Sequence, residues 1–491
     1  MARRATVVGS GPNGLAAAVA LARAGYDVRV LEAASTIGGG VRTAELTLPG
    51  FRHDIGSAVH PGALSSPFFR AFGLRERIEW IVPDAAFAHP LDPAGGSGPR
   101  AAVAWRDLER TAEGLGTDAA TWRAVVRPLA RHRDAVVDFT GHQLLRIPRH
   151  PVTTVRFGLR ALELGSALSR RTFHTEEGAA LFAGVAAHSN APLPSVGAAA
   201  SALFLLAHAH VADGWAYPRG GAQAIADVLV ADLRAHGGDV ETGMRIRDLS
   251  ALDWGDPDAG DLLLLDTSPR LVLTHPDVPP AYARAIRRFD YGAAAAKVDF
   301  ALDGPVPWAH PDVAVAPTVH LGGSRAEIEA SENAVAQGRM TERPYVLAVQ
   351  PSVLDPTRAP AGKHTLWAYI HVPARSTLDP TELVTRQVER FAPGFRERIL
   401  ASSAMAAADR EAFNPSDIGG DILGGAFSFV QALRRPIVSP TPWRTPMPGV
   451  YLASASTPPG PGVTGMPGWY AAKQALADRA GVGVDLDDLF G

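Results

Sequence analysis

From Ala5 to Thr43 the chain reads ATVVGSGPNGLAAAVALARAGYDVRVLEAASTIGGGVRT, and this stretch limits the fold more than any other. The apolar run Ala5 to Val8 predicts a short strand that stops at Gly9-Ser10-Gly11-Pro12-Asn13-Gly14. Leu15 to Ala24 then predicts an alanine-rich helix closed by Gly25, and Asp27 to Leu31 a second strand that ends on Glu32. Strand, glycine turn, helix, strand and acid in this order make a dinucleotide site. Gly9 makes the tight turn out of the strand, Gly11 lets the backbone approach a pyrophosphate, and Gly14 lets the helix lie close on the strand. The phosphates then face the positive end of the helix, where Pro12 and Asn13 stand. Glu32 is placed to accept hydrogen bonds from ribose hydroxyls, and its charge would repel a 2′-phosphate.

A second glycine turn follows the acid. After Ala33, where a nicotinamide dehydrogenase would run into its next helix, the chain has Ile37-Gly38-Gly39-Gly40-Val41-Arg42-Thr43. This resembles the FAD end of the flavin amine oxidase and phytoene desaturase superfamily, whose pattern is acid, five residues, Gly-Gly-Arg, two residues, Thr or Ser. The chain departs from that pattern at Gly40, where the family's arginine contacts the pyrophosphate; Arg42 lies two residues on. The resemblance implies that Glu32, Ala33, Gly39, Gly40, Val41 and Arg42 line an FAD site. Phe51 to Ser57 resembles the family's next signature, which brings Gly56 and Ser57 under the flavin.

Further along, Tyr217-Pro218-Arg219-Gly220-Gly221 precedes a helix with an apolar stripe at Ile225, Val228, Leu229 and Leu233, stopped by Gly237-Gly238. Val240 to Ile246 then predicts a strand, and the same order in phytoene desaturase-like flavoproteins places Ile246 at the cofactor. Asp261 to Asp266, DLLLLD, reads as a buried strand. Near the end, Pro448 to Ser456 predicts a strand and Pro459 to Gly468 a glycine-rich turn before a helix from Trp469 to Arg479. The family closes its flavin site with such a segment, which implies roles for Ser454, Gly462, Val463 and Thr464. Gly460, Gly462 and Gly465 also spell GxGxxG, but too few residues follow for a second ribose acid and the rest of a sheet.

The chain has 491 residues, 46% of them hydrophobic, enough for a large core. Its formal charge of −3 leaves no basic surplus for a phosphate backbone, so nucleic acid is not an expected partner. It has no cysteine, which excludes disulfides, thiolate metal sites and a cysteinyl-linked flavin. Arg3-Arg4 runs directly into the first strand, so no cleavable signal is expected there. No run of about eighteen apolar residues lacks a polar break. Val196 to Val211, with Ser201, His208 and His210, reads as a buried helix, and the location expected is cytoplasmic. His188, His208 and His210 read as packed or surface histidines, and no metal is expected.

The expected fold is α/β: a Rossmann-type FAD-binding domain assembled from discontinuous segments plus an α+β substrate domain with a mixed sheet. The cofactor domain takes 1–66, 215–285 and 437–491. The substrate domain takes 67–214, read as helical with helices at Leu108 to Gly114, Ala119 to Phe139 and Pro151 to Leu168, and 286–436. Gly292 to Asp303 predicts a strand, Ser324-x-x-Glu327 a capping box opening a helix closed by Gly338, and Thr365 to Val372 another strand. Asp355-Pro-Thr-Arg-Ala-Pro-Ala-Gly-Lys-His364 between them resembles a segment of the phytoene dehydrogenase-like oxidoreductases.

The resemblance implies an oxidoreductase that accepts a hydride equivalent at flavin N5 from a small, apolar substrate, with oxygen or a quinone as acceptor. Peripheral contact with a membrane stays open. One residue is a candidate for catalysis. Alternation in AAAAKVDFALD puts Lys297 and Asp299 on one face of a strand, either a solvated salt bridge or, as in the amine oxidases this strand resembles, a lysine beside flavin N5. Pro305 to Trp308 follows it as in that family. Three other readings stay open: an amine oxidase, a flavin-dependent isomerase, and an interaction protein in which FAD is a structural filler.

Overall fold

Two sheets made from interleaved stretches of the chain carry the structure, a computed structural model that describes residues 3–95, 98–481 and 483–491. The first sheet has five parallel strands, in the order Val450–Leu452, Leu262–Leu265, Arg4–Val8, Asp27–Leu31 and Asp239–Glu241. Its centre is apolar on both sides, as a parallel sheet covered on two faces must be. Ala5, Val7, Leu262, Leu264 and Tyr451 pack under the helices Pro12–Arg23, Gln223–Ala235 and Met466–Ala480. Val8, Leu263, Leu265, Val450 and Leu452 face the opposite layer with Leu249, Val272 and Ile286. The run of four leucines therefore reads as it does because every member is buried.

The second sheet has seven strands, in the order Ile399–Met405, Ala294–Leu302, His364–Val372, Val346–Val349, Thr318–Leu321, Ala85–Leu91 and Arg100–Trp105. All its pairings are antiparallel except Thr318–Leu321 against Ala85–Leu91. Val298, Phe300 and Leu302 point into a core shared with Val384, Val388 and Phe391 of the Thr381–Phe391 helix. Ala295, Leu347, Val349, Trp367 and Tyr369 point the other way, into a layer with the Glu176–Ala186 and Val196–Ala209 helices. The fold is thus a Rossmann-type domain of discontinuous segments joined to an α+β domain with a mixed sheet. Among the described residues no helix is long and apolar enough to cross a membrane.

Several elements differ from the expectation. The stretch 67–214 is not purely helical, because Ala85–Leu91 and Arg100–Trp105 form a hairpin at the edge of the mixed sheet. Pro90 hid the first of these strands, and the ladder tolerates it because the parallel partner pairs only at Phe87 and Ala88. The helix expected from Ala119 to Phe139 is two, Ala119–Arg131 and Arg133–Thr140, hinged at His132. The strand expected from Val240 to Ile246 ends at Glu241; beyond it Gly243 and Met244 donate to the carbonyls of Ala34 and Glu32, and Ile246 is half-buried. The strand expected over Pro448 to Ser456 shortens to Val450–Leu452. After it Ser454 turns the chain, its carbonyl accepting from the N–H and hydroxyl of Thr457. The closing helix begins at Met466, three residues before the expected Trp469.

Candidate functional site

The first glycine turn sits at the carboxyl end of the Arg4–Val8 strand, where open parallel sheets bind ligands. Gly9 has φ of +103°, which a side chain rarely adopts. A Cβ on Gly14 would run into the carbonyl of Gly9, so the predicted close approach of helix to strand is real. At Gly11 a Cβ would stand 2.6 Å from an oxygen of Asp266. That carboxylate closes the Leu262–Leu265 strand, lies under the helix N-terminus and accepts from the N–H of Gly14 at 2.8 Å. Burial pushes Asp266 up to about 7, and the charge of Glu32 adds to the effect.

Ser10 holds the two glycine turns together. Its N–H and hydroxyl donate to Glu32 at 2.9 and 2.5 Å, and its carbonyl accepts from the N–H of Gly38 at 3.1 Å. The other oxygen of Glu32 accepts from the N–H of Ala34, just past half-buried Ala33. Gly39 lies so close that a Cβ there would stand 2.9 Å from Cα of Gly11. Next to it, Val41 is fully buried and Arg42 donates to the carbonyl of Gly39 at 3.0 Å while stacking on Phe413, 4.1 Å from the ring centre. Arg42 therefore braces the second turn from one side, with Glu32 and Asp417 contributing to its electrostatic environment. Gly56 packs against the carbonyl of Gly40, which accepts from the N–H of Ser57, and the Ser57 hydroxyl meets His60 at 3.1 Å.

The end of the chain closes over its beginning. Gly468 in the Met466–Ala480 helix leaves no room for a Cβ against the carbonyl of Asn13, so the last helix lies directly on the first. The carbonyl of Thr464 accepts from Ser66 at 2.6 Å, fixing the turn that carries Gly462 and half-buried Val463. This surround fits a dinucleotide. The side-chain oxygen of Asn13 is buried with no protein partner, Gly40 faces open space, and Gly462 has only the Thr464 methyl near it. These are the positions at which a cofactor would need a polar partner and room.

Lys297 and Asp299 do share a face of their strand, but solvent does not reach it: each is 2% exposed, and they pair with each other. Burial lowers the pKa of Lys297 and pushes Asp299 up to about 6. Nδ1 of His53 lies 3.5 Å from Asp299, and burial followed by the charge of Lys297 pushes His53 down to about 3, so this imidazole is neutral. The ammonium of Lys297 lies 5.6 Å from the ring centre of Trp367, with Tyr369 across the ladder. His53 belongs to the Arg52–Asp54 strand, which pairs with Thr43–Glu45 straight after the second glycine turn. The buried pair and the glycine turns are thus linked through one small hairpin.

A buried ion cluster locks that hairpin. Arg358, fully buried, pairs with Asp54 and lies 3.2 Å from Asp355. Asp54 also accepts from the hydroxyl of Thr43 and the N–H of Ala222, and Asp355 from the N–H of Gly220. The Tyr217 segment, the hairpin and the Asp-Pro-Thr-Arg turn therefore meet at one arginine. Ser10, Asp266 and Arg358 were not among the predicted site residues. An acid ending an otherwise apolar buried strand was the available signal for Asp266. Among the described residues no group of three or more His, Cys, Asp or Glu side chains could hold a metal; His208 instead bonds Ser65 and the carbonyl of Phe204.

Comparison with known proteins agrees with this geometry. Hydroxyneurosporene desaturase of Rhodobacter capsulatus is 27% identical over 96% of this chain and 97% of its own. Pyridine nucleotide-disulfide oxidoreductase domain-containing protein 2 of Rattus norvegicus is 27% identical over 54% of this chain, and the match spans about half of that relative's length, 51%. Among solved structures, wild-type putrescine oxidase bound to putrescine superposes with a TM-score of 0.61 at 18% identity, covering 98% of this chain and 100% of that one. Cyclohexylamine oxidase from Brevibacterium oxydans does so with 0.52 at 16%, over 98% and 99%. The profile of flavin containing amine oxidoreductases matches residues 13–471. With the two glycine turns, the acid Glu32 that ties them together and the closing helix in place, the chain belongs to the flavin containing amine oxidoreductase family, and its cofactor is FAD.

Proposed function

We propose that the protein removes a hydride equivalent from a small, apolar organic substrate and passes the electrons to oxygen or a quinone. In this reading 1–66, 215–285 and 437–491 hold the cofactor and the remainder shapes the substrate side. Bound FAD supplies the hydride-accepting centre, flavin N5. Glu32 would hold the ribose, the N-terminus of Pro12–Arg23 and Asn13 would hold the pyrophosphate, and the turn before the Met466–Ala480 helix would close the site against water. The observation that carries the catalytic part is the buried Lys297–Asp299 pair beside neutral His53. A cation fixed there, away from water, stabilises negative charge developing nearby far better than a solvated one.

An apolar substrate is favoured over an amine by Gly465. The amine oxidases that the sequence resembles carry a tyrosine at this place. Here a Cβ would stand 2.9 Å from Phe68 and 3.0 Å from Ala16, on a backbone with φ of +67°. Half of an aromatic cage for an amine therefore has no place to stand. The C-terminal glycines lead into a helix stacked on the first one, so NADH and NADPH are not expected to reduce the flavin.

The test is Lys297→Met in the FAD-loaded protein, with the flavin reduced by light and reoxidised by oxygen or a soluble quinone in a stopped-flow instrument. Asp299 can become neutral when its partner is lost, so the fold and bound FAD should survive. Reoxidation should slow at least about tenfold, roughly 1.4 kcal/mol in the barrier. An unchanged rate with both acceptors would remove Lys297 from the chemistry.

A further inference from the structure

The helix Pro151–Leu164 is apolar on two sides. Phe157, Ala161 and Leu164 are buried against the Val196–Ala209 helix and its neighbours. On the opposite side Val152, Val155, Leu159 and Leu162, at i, i+3, i+7 and i+10, form a second stripe that is more than half exposed. Ile147 precedes the helix in a loop and is 93% exposed, and Leu168 continues the stripe beyond it. The base of that loop is anchored: Gln143 donates to the carbonyl of Pro440, and Tyr470 to that of Gly141. Val438, 72% exposed, stands two residues from that anchor. The exposed apolar side chains thus stand on a fixed base.

Charge points to the occupant. Residues 141–175 hold six arginines and one glutamate, a net charge of +5 in a chain whose total is −3. Arg149, Arg156, Arg170 and Arg171 are exposed on and around the stripe; Arg170 pairs with Glu329 at 3.2 Å and Arg149 lies 3.9 Å from Asp138, so Arg156 and Arg171 carry most of the positive charge offered to a partner. Two copies of this surface set face to face would oppose like charges, which disfavours a symmetric dimer here. An amphipathic helix with an apolar stripe and arginines at its flanks suits the interface of an anionic bilayer, apolar side among the acyl chains and guanidinium groups at the phosphates. We propose that the protein docks on anionic membrane surfaces through Ile147 and the exposed stripe of Pro151–Leu164. The buried side of the same helix belongs to the apolar layer that reaches Trp367 and Tyr369. Docking therefore sets the bilayer against the layer that continues to the buried lysine. The proposal stands on the surface alone and does not depend on the redox reading.

The experiment is cosedimentation of the FAD-loaded protein with vesicles of phosphatidylcholine alone and of phosphatidylcholine mixed with phosphatidylglycerol. Binding to the mixed vesicles should exceed that to the neutral ones by roughly tenfold at low salt and weaken as salt rises. Because the altered side chains lie in solvent, V155E/L159E should keep the flavin spectrum and melting temperature while losing binding by about tenfold. R156E/R171E should lose the preference for the anionic lipid. The proposal is overturned if the wild type ignores mixed vesicles at low salt, or if V155E/L159E binds as well as the wild type. It is equally overturned if light scattering shows a wild-type dimer that V155E/L159E dissolves, since the stripe would then belong to a second copy.

Discussion

Asp266 is the residue whose position changes the account of the cofactor site most. The glycines, Glu32 and the helix start were legible because they lie within one short stretch whose order is dictated by backbone geometry. Asp266 lies 252 residues from the amide it binds, and no local pattern joins the two. Its folded pKa of about 7 is above the ordinary carboxylate value, so from about pH 4 to 7 the fold keeps it neutral while the unfolded chain ionises it, and its contribution to stability is lost as pH rises through that window. A pyrophosphate at the same helix end raises that pKa further, so binding takes up a proton. FAD affinity should fall as pH rises above about 7, by up to roughly tenfold per unit, and Asp266→Asn should abolish the slope. Flavin fluorescence titrations on either side of neutrality measure both. An equal slope in the variant would mean that Asp266 stays neutral throughout.

Among elements, the Arg52–Asp54 strand does the most joining for its three residues. It pairs with the stretch after the second glycine turn, presents His53 to Asp299 and gives Asp54 to Arg358. Burial alone would raise the pKa of Asp54, but Arg358 and its hydrogen bonds outweigh that and hold the carboxyl below its usual range. Arg358→Met would leave Asp54 and Asp355 buried without their cation, a loss on the order of 3–5 kcal/mol. The melting temperature should drop and FAD should bind more weakly, because Asp54 also holds Thr43 and Ala222. The Asp-Pro-Thr-Arg segment was visible as a motif, but its role depends on a partner three hundred residues away, 304 in sequence. The edge hairpin was missed for a different reason: Pro90 argues against a strand unless one knows that a neighbour's ladder stops short of it.

Across the whole molecule, buried histidines set the response to acid. Burial pushes His53 down to about 3 and His60, His89, His208 and His210 down to about 4. Each is neutral in the fold and protonates near 6.5 once unfolded, so their contribution is complete above that value and is lost as pH falls toward 4. Asp266, Asp299 and Asp417, with raised values, act in the opposite sense but are fewer. Stability by chemical denaturation should therefore drop by roughly 2 kcal/mol per pH unit near pH 5. A flat profile between pH 7 and pH 5 would show that the imidazoles find water. The way the parallel sheet is stitched has a further effect, on the order of events during synthesis. Arg4–Val8 is made long before its neighbour Leu262–Leu265, more than half of this sequence further on, and the second helix that covers Pro12–Arg23 begins only at Met466. Pro12–Arg23 therefore has only Gln223–Ala235 to cover it until the Met466–Ala480 helix is made, and over that interval its remaining apolar surface favours aggregation of the nascent chain.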